Sequence, residues 1–206
     1  MRTGGSPSAR RPGGFSLIEL MVTLAIAALM LGLAVPYYKT WIANSKVRST
    51  AEQMVANLRQ AQAEAVKRYR RVVFYRSVAT DCTSTSAPAY SATGNYWVIL
   101  TIPLVTGDPP VVAQCGTISD GSSNIQISGW TAMCYGTNGR PIAVAAASTG
   151  IGVACAASTA FDIDVKDSAG TTSLADRPLR VNIAPGGGIR MCDTKRSLDL
   201  GNPDGC

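Results

Sequence analysis

Histidine is absent from all 206 residues of the sequence. Without it, neither a serine–histidine nor a cysteine–histidine nucleophile pair can form. None of the six cysteines belongs to a C-x-x-C pair, so their spacing does not support a zinc site. Asp162 and Asp164 lie two residues apart, and we interpret them as one face of an exposed strand rather than a catalytic pair. We therefore expect no enzyme, no cofactor, no metal site and no small-molecule substrate.

Aromatic residues (6%) and charged residues (16%) are scarce, whereas 46% of the residues are hydrophobic. This balance is typical of a folded chain and excludes an intrinsically disordered one. The length suits one globular domain with an additional element. With so few aromatic side chains, the core must consist mainly of valine, isoleucine, leucine and alanine.

The net charge of +6 is unevenly distributed along the chain. Residues 37–71 contain eight basic residues and two acidic ones, while residues 72–206 contain eight basic and ten acidic ones. The remaining excess of positive charge lies in residues 1–14, which contain three arginines. Lysine and arginine beside an apolar segment indicate membrane topology or contact with anionic lipid more often than binding of nucleic acid.

An apolar run extends from Phe15 to Val35. Its polar residues are Ser16, Glu19 and Thr23. It is long enough to cross a bilayer, which requires about 20 residues. No small-residue cleavage site of the ordinary secretory type follows it. A carboxylate such as Glu19 within this run costs about 3 kcal/mol on insertion scales, so it requires a partner.

The apolar run continues directly into an amphipathic pattern over residues 37–71. Apolar or small residues recur there every three or four positions, which predicts one buried helix face. They are Val47, Ala51, Met54, Val55, Leu58, Ala61, Ala65 and Tyr69. We predict one helix from Phe15 to Arg71, with a kink at Pro36, where proline removes a backbone hydrogen bond.

Beyond residue 71 the pattern changes to short alternating runs separated by glycine- and proline-rich turns. The runs predicted as strands are Arg71–Val78, Tyr96–Pro103, Val111–Gln114, Asn124–Trp130, Ala160–Val165 and Leu179–Ile183. Residues 72–206 therefore form a β-rich domain, and the helix covers an antiparallel sheet. The fold class is α+β.

The segment Gly14-Phe15-Ser16-Leu17-Ile18-Glu19-Leu20 closely resembles the type IV prepilin signal, usually G-F-T-L-I-E-L. The resemblance implies that residues 1–14 are a leader, that prepilin peptidase cleaves between Gly14 and Phe15, and that Phe15 is N-methylated. Cleavage would create an amine one helical turn from Glu19, or within reach of it from a neighbouring subunit. The competing interpretation is a plain signal anchor that happens to contain a glutamate.

Within that superfamily the chain is similar to the GspH/FimT group of minor pilins and pseudopilins, which end in a G-R-x-R-x-C motif. Arg190 and Cys192 match this motif, whereas Gly188 replaces its first arginine. In some members the arginine pair is linked to DNA binding. Arg190, Lys195 and Arg196 are therefore candidate DNA contacts, and a solvated surface beside several aspartates is the alternative we favour.

Six cysteines downstream of an export-type segment indicate disulfides in an oxidising compartment. We predict a bond between Cys192 and Cys206, as pilin-like proteins often have, closing the C-terminal tail. The pairing among the other four cysteines stays open, since sequence alone does not determine it. They are Cys82, Cys115, Cys134 and Cys155.

Taken with the resemblance, these features favour a structural minor pilin of a type IV pilus, with a single inner-membrane helix (residues 15–36) and a periplasm-facing domain. Its partners would be other pilins, prepilin peptidase and the inner membrane. The alternatives are a pseudopilin of a type II secretion system and a DNA-binding subunit for natural transformation.

Overall fold

The structure is a computed structural model that describes residues 14–78, 87–105, 109–118, 124–129, 132–156, 160–168 and 176–206, apart from the side chains at positions 33, 34 and 36. The chain divides into two compact units, Met1–Trp41 and Ile42–Cys206. The sequence placed the corresponding boundary at residue 36. The predicted leader before Gly14, together with Cys82, lies outside the described residues.

A helix, α1, extends from Leu17 to Arg68 and contributes to both units. Its first backbone hydrogen bond runs from the Leu20 N–H to the Ser16 carbonyl, at 3.1 Å. Serine is a favoured residue at this capping position. The helix begins two residues later than predicted and ends three residues earlier.

The early end of α1 is explained by the backbone of Tyr69, whose φ of 54° lies in the left-handed region. The Tyr69 N–H bonds to the Val66 carbonyl, and the Arg70 N–H bonds to the Ala65 carbonyl, both at 3.2 Å. These two bonds form a Schellman motif, which satisfies the last carbonyls of a helix. Tyr69 is consequently 80% exposed and does not join the buried face as predicted.

In the first unit, every residue of α1 up to Lys39 whose side chain is described is exposed. Among the described residues, no helix taken alone is long and apolar enough to span a membrane. The segments Leu17–Gly32 and Tyr37–Arg68 meet that criterion only as a pair, judged by length and composition. The kink at Pro36 concerns a side chain outside the described set and stays a prediction.

In the second unit, one face of α1 is buried at every third or fourth position, as the periodicity indicates. Six of the residues predicted for this face are at most 2% exposed: Val47, Ala51, Met54, Leu58, Ala61 and Ala65. Val55, also predicted for it, is only partly buried. Three of the six are alanines, which allow the sheet backbones to approach the helix closely.

Two antiparallel four-stranded sheets follow α1. The first has the order β3-β2-β1-β5, with β1 Val72–Ser77, β2 Tyr96–Thr101, β3 Val111–Thr117 and β5 Met133–Tyr135. The second has the order β4-β6-β7-β8, with β4 Ile125–Ser128, β6 Phe161–Asp167, β7 Leu179–Ile183 and β8 Ile189–Asp193. A one-turn helix, α2, spans Ala146–Thr149. The α+β class with antiparallel sheets is confirmed.

The hydrophobic residues form two clusters. The main cluster joins α1 to the facing sides of both sheets, through Phe74 and Ile99 of the first sheet and Val181 of the second. The other cluster covers the opposite side of the first sheet, where Tyr75 packs with Val144. All six residues of β1 are therefore buried, which explains its nearly continuous apolar sequence.

Two disulfides join pairs of described residues in the second unit, and Cys115 is disulfide-bonded as well. Cys192 is bonded to Cys206, with the Cα atoms 5.2 Å apart, and this is the pairing that the sequence predicts. Cys134 is bonded to Cys155, with the Cα atoms 5.6 Å apart, which settles one pairing that the sequence left open. The described part of the chain contains no free cysteine.

Candidate assembly site and C-terminal edge

The predicted cleavage point, Gly14–Phe15, lies just before α1 in exposed backbone outside any helix or strand. Phe15 is 81% exposed, and a side chain placed on Gly14 would meet nothing within 4 Å. A peptidase needs an accessible, non-helical segment, and this bond offers one.

Glu19 lies in the first turn of α1 and is exposed. Ser16 and Glu19 have the S-x-x-E spacing of a capping box, and a carboxylate in the first turn is favoured by the helix dipole. No ion pair involves Glu19 within the described residues. The helix dipole therefore favours a carboxylate at this position, apart from any pairing with an amine.

Glu19 lies within an apolar surface that continues around the whole helix. Leu17, Ile18 and Leu29 are each more than 65% exposed, and so are several of their neighbours. A helix that is apolar on all sides is covered in its working environment by lipid or by other helices.

The apolar segment ends in exposed aromatic side chains. Tyr37 is 81% exposed and Tyr38 is 62% exposed. The Tyr38 ring stacks on Trp41, with the ring centroids 5.9 Å apart. Tyrosine and tryptophan at the end of an apolar helix are typical of a membrane–water interface.

The three C-terminal residues predicted as DNA contacts differ in their partners. Arg196 lies 3.1 Å from the Asp204 carboxylate and 3.9 Å from that of Asp193. Lys195 donates its backbone N–H to Asp193 at 2.9 Å. Arg190, on β8, is exposed and has no ion pair with any described residue.

Arg180 on β7 is occupied by two carboxylates of β6. It donates to Asp164 at 2.6 and 3.2 Å and lies 3.4 Å from Asp162. The hydrogen bond that Arg180 donates to Asp164, reinforced by the negative charges of Asp164 and Asp162, raises the pKa of Arg180. The Asp162–Asp164 pair therefore forms an ion-paired cross-strand cluster on the outer face of the second sheet.

The comparisons with known proteins identify the N-terminal segment. Residues 9–35 match the model of the prokaryotic N-terminal methylation motif. No curated protein sequence matches the chain significantly. A solved structure of the type IV minor pilin FimU of Pseudomonas aeruginosa is similar at 15% identity and a TM-score of 0.48, covering 71% of this chain and 88% of FimU.

The minor pseudopilin EpsH from the type 2 secretion system of Vibrio cholerae is similar at 12% identity and a TM-score of 0.43, covering 72% of this chain and 97% of EpsH. At such identities and scores, these likenesses carry no functional information of their own. The chain therefore has a prokaryotic N-terminal methylation motif at the start of a long helix, which is followed by antiparallel sheets.

Proposed function

We propose that this chain is a minor subunit of a type IV pilus, made as a prepilin, cleaved after Gly14 and methylated at Phe15. The observation that carries the proposal is Glu19, an exposed carboxylate in the first turn of a helix that is apolar on all sides. When such a helix is buried among lipid or other helices, its carboxylate has no counter-ion unless a cation lies beside it. Cleavage supplies that cation as the new amine of Phe15.

Glu19→Gln tests this pairing because it separates the two roles of the residue. Glutamine retains the capping-box pattern with Ser16 but has no charge. We expect cells expressing Glu19→Gln to process the leader normally, yet to place at least about tenfold less of the chain in sheared filaments, which corresponds to about 1.4 kcal/mol of lost pairing. The measurement is the ratio of filament to membrane fractions by immunoblot.

Ser16→Ala is the matched control, since it weakens the helix cap by about 1 kcal/mol and leaves the carboxylate in place. It should enter filaments at close to the wild-type level. If both variants lose incorporation equally, Glu19 acts as a cap and the proposed charge pairing is wrong.

The aromatic residues Tyr37, Tyr38 and Trp41 support an inner-membrane location before assembly, with this cluster at the periplasmic headgroup level and residues 15–36 in the hydrocarbon core. Trp41 reports this depth. In vesicles containing lipids brominated at different positions along the acyl chain, quenching of the full chain should be strongest for bromine near the headgroups. Trp41→Phe provides the background from the other tryptophans. Strongest Trp41 quenching at the bilayer centre would contradict this placement.

A pseudopilin of a type II secretion system is the second candidate, since the same helix and processing serve both assemblies. The disulfides at Cys134–Cys155 and Cys192–Cys206 favour the pilus, because they suit a subunit that is exposed outside the cell. Deletion of the gene should abolish pilus-dependent functions and leave protein secretion unchanged. The reverse result would assign the chain to secretion.

DNA binding for natural transformation is the third candidate, and the exposed Arg190 is the observation in its favour. Against it, Arg180 and Arg196 are occupied by carboxylates, and phosphate binding requires clustered free cations. A gel shift with the wild-type chain and with Arg190→Ala tests it. Binding below micromolar at moderate salt that Arg190→Ala abolishes would support this role.

A further inference from the structure

Strand β8 is the outer strand of the second sheet, and part of its free edge is already occupied. The Asp193 N–H donates to the Asp204 carbonyl at 2.7 Å, and the Asp193 carbonyl accepts the Cys206 N–H at 3.2 Å. The tail thus forms a parallel bridge to Asp193 at Gly205. The Cys192–Cys206 disulfide holds it there.

The same edge is open further along the strand. In an antiparallel ladder, alternate residues direct both backbone groups toward the neighbouring strand and the others direct both away. Because the N–H and carbonyl of Asp193 point away from β7, those of Met191 and Ile189 point away from it as well. Neither has a backbone hydrogen bond on that side within the described residues.

A groove of about 340 Å³ lies beside this open edge. One wall is β8, at Ile189, Arg190 and Met191, and the other is α1, at Glu52, Val55, Ala56 and Arg59. Val55, Ile189 and Met191 are partly buried against the main hydrophobic cluster, so they give the groove an apolar floor. An apolar floor beside unpaired strand backbone fits a peptide in extended conformation.

The charges of the groove select the kind of peptide. Arg59 lines it from α1, while Arg190 lines it from the edge strand, where its pairing with Asn182 places its side chain on the outer face of the sheet. Neither forms an ion pair with any described residue. The carboxylate of Glu52 lies 2.8 Å from Arg48, which offsets its charge. The groove is therefore cationic, and guanidinium groups bind carboxylates in bidentate geometry.

We infer that this groove binds an extended, acidic segment of a neighbouring subunit, which adds a strand to β8 in line with the tail. The inference rests on the proposed function, since it assigns the neighbour to the assembled filament. Backbone hydrogen bonds from Met191 and Ile189 would supply the pairing. Arg59 on the inner side and Arg190 on the outer side of the added strand would select acidic side chains on its two faces.

Met191→Pro tests the strand addition directly. Proline removes the N–H that points to the groove and no hydrogen bond of the β7–β8 ladder, and an edge strand tolerates it at such a position. Met191→Leu is the matched control, with a similar side chain and the N–H retained. In cells expressing the full chain, we expect at least about fivefold less Met191→Pro than Met191→Leu in sheared filaments at equal membrane levels, a ratio equal to about 1 kcal/mol.

A second variant and a second measurement serve if the proline variant is poorly folded. The double variant Arg59→Glu with Arg190→Glu changes only exposed side chains and should reduce incorporation to a similar extent. Hydrogen exchange of the peptide containing residues 189–193 should slow at least about tenfold in wild-type filaments compared with the detergent-solubilised chain, because its edge amides become bonded.

Three results would overturn the inference. Folded Met191→Pro could enter filaments as well as Met191→Leu, or residues 189–193 could exchange equally fast in filaments and in detergent. Alternatively, the double glutamate variant could enter filaments as well as the wild type and lose only the DNA gel shift, which would make the groove a nucleic-acid site. Failure of the wild-type chain to enter filaments would overturn the proposed function itself, a separate result from variant-specific loss.

Discussion

The two halves of α1 differ in how their apolar surface is covered. In the second unit, Leu58 is fully buried and charged residues occupy the outer face. In the first unit, Leu29 is 72% exposed, and the described side chains around it are exposed on all sides. The second half of α1 is therefore stabilised by packing against the chain's own domain. The apolar surface of the first half is left for lipid or for another subunit to cover.

This difference assigns separate tasks to the two halves. Removal of a buried side chain should destabilise the domain, whereas removal of an exposed apolar side chain should change only what the helix meets in lipid or in a filament. Matched substitutions along one helix can separate stability from assembly.

The largest effect on stability should come from Leu58→Ala, compared with Leu29→Ala. The first creates a cavity in the core and should lower the free energy of unfolding of the second unit by about 2–5 kcal/mol. The second should change it by less than about 0.5 kcal/mol. Denaturant unfolding of the full chain in mild detergent measures both. Equal losses would show that the first half of α1 also stabilises the domain.

Removal of the Cys192–Cys206 disulfide should have the next largest effect. The paired change Cys192→Ala with Cys206→Ser should lower the free energy of unfolding by about 3 kcal/mol, because it releases a loop of about 15 residues in the unfolded state. Circular dichroism of the first half of α1, studied as a peptide in detergent, provides the unaffected reference. A loss below about 0.5 kcal/mol would contradict the stabilising role of the tail closure.

A smaller effect should follow from Gln62→Ala. The Gln62 side-chain amide donates to the Gly139 carbonyl at 3.1 Å and to the Gly187 carbonyl at 2.7 Å, so it fastens two turns to α1. Its removal should lower the free energy of unfolding by about 1–3 kcal/mol, since partly buried carbonyls lose their donor. Gln60→Ala, at a position with no such bond, is the matched control. Indistinguishable unfolding midpoints for the two variants would contradict this role.

The smallest effect, with the opposite sign, is expected for Tyr135→Phe. The Tyr135 hydroxyl is buried and has no hydrogen-bond partner among the described residues, so its removal should be neutral or stabilising by up to about 1 kcal/mol. Burial raises the pKa of Tyr135. Above the ordinary tyrosine pKa of about 10, the hydroxyl therefore ionises in the unfolded chain but not yet in the folded one, and the free energy of unfolding falls as the pH rises. The variant should be less sensitive to alkaline unfolding, and equal sensitivity would contradict this account.

The sequence predicts the parts of the fold that depend on local pattern. The three- and four-residue spacing identifies the buried face from Val47 to Ala65, and strand β7 has the predicted bounds of Leu179–Ile183. The prepilin segment is also local, because a peptidase reads a short stretch of chain. In each case the deciding information lies within a few residues.

The parts that the sequence did not predict depend on tertiary contacts. Strand β5 has only three residues and exists through pairing with β1. Strand β8 follows a glycine-rich turn and lacks a long β-branched run, so its sequence does not predict a strand. The end of α1 at Tyr69 has no glycine to mark it, and the groove beside β8 requires the positions of two distant segments.

The central claim is that proteolysis creates the partner of Glu19, and the mass of the mature chain tests it most directly. In cells with active prepilin peptidase, intact-mass and N-terminal peptide analysis should find a chain that begins at Phe15 with one added methyl group on its amine. A mature chain that retains Met1, or one that is cleaved after the apolar run, would contradict the account.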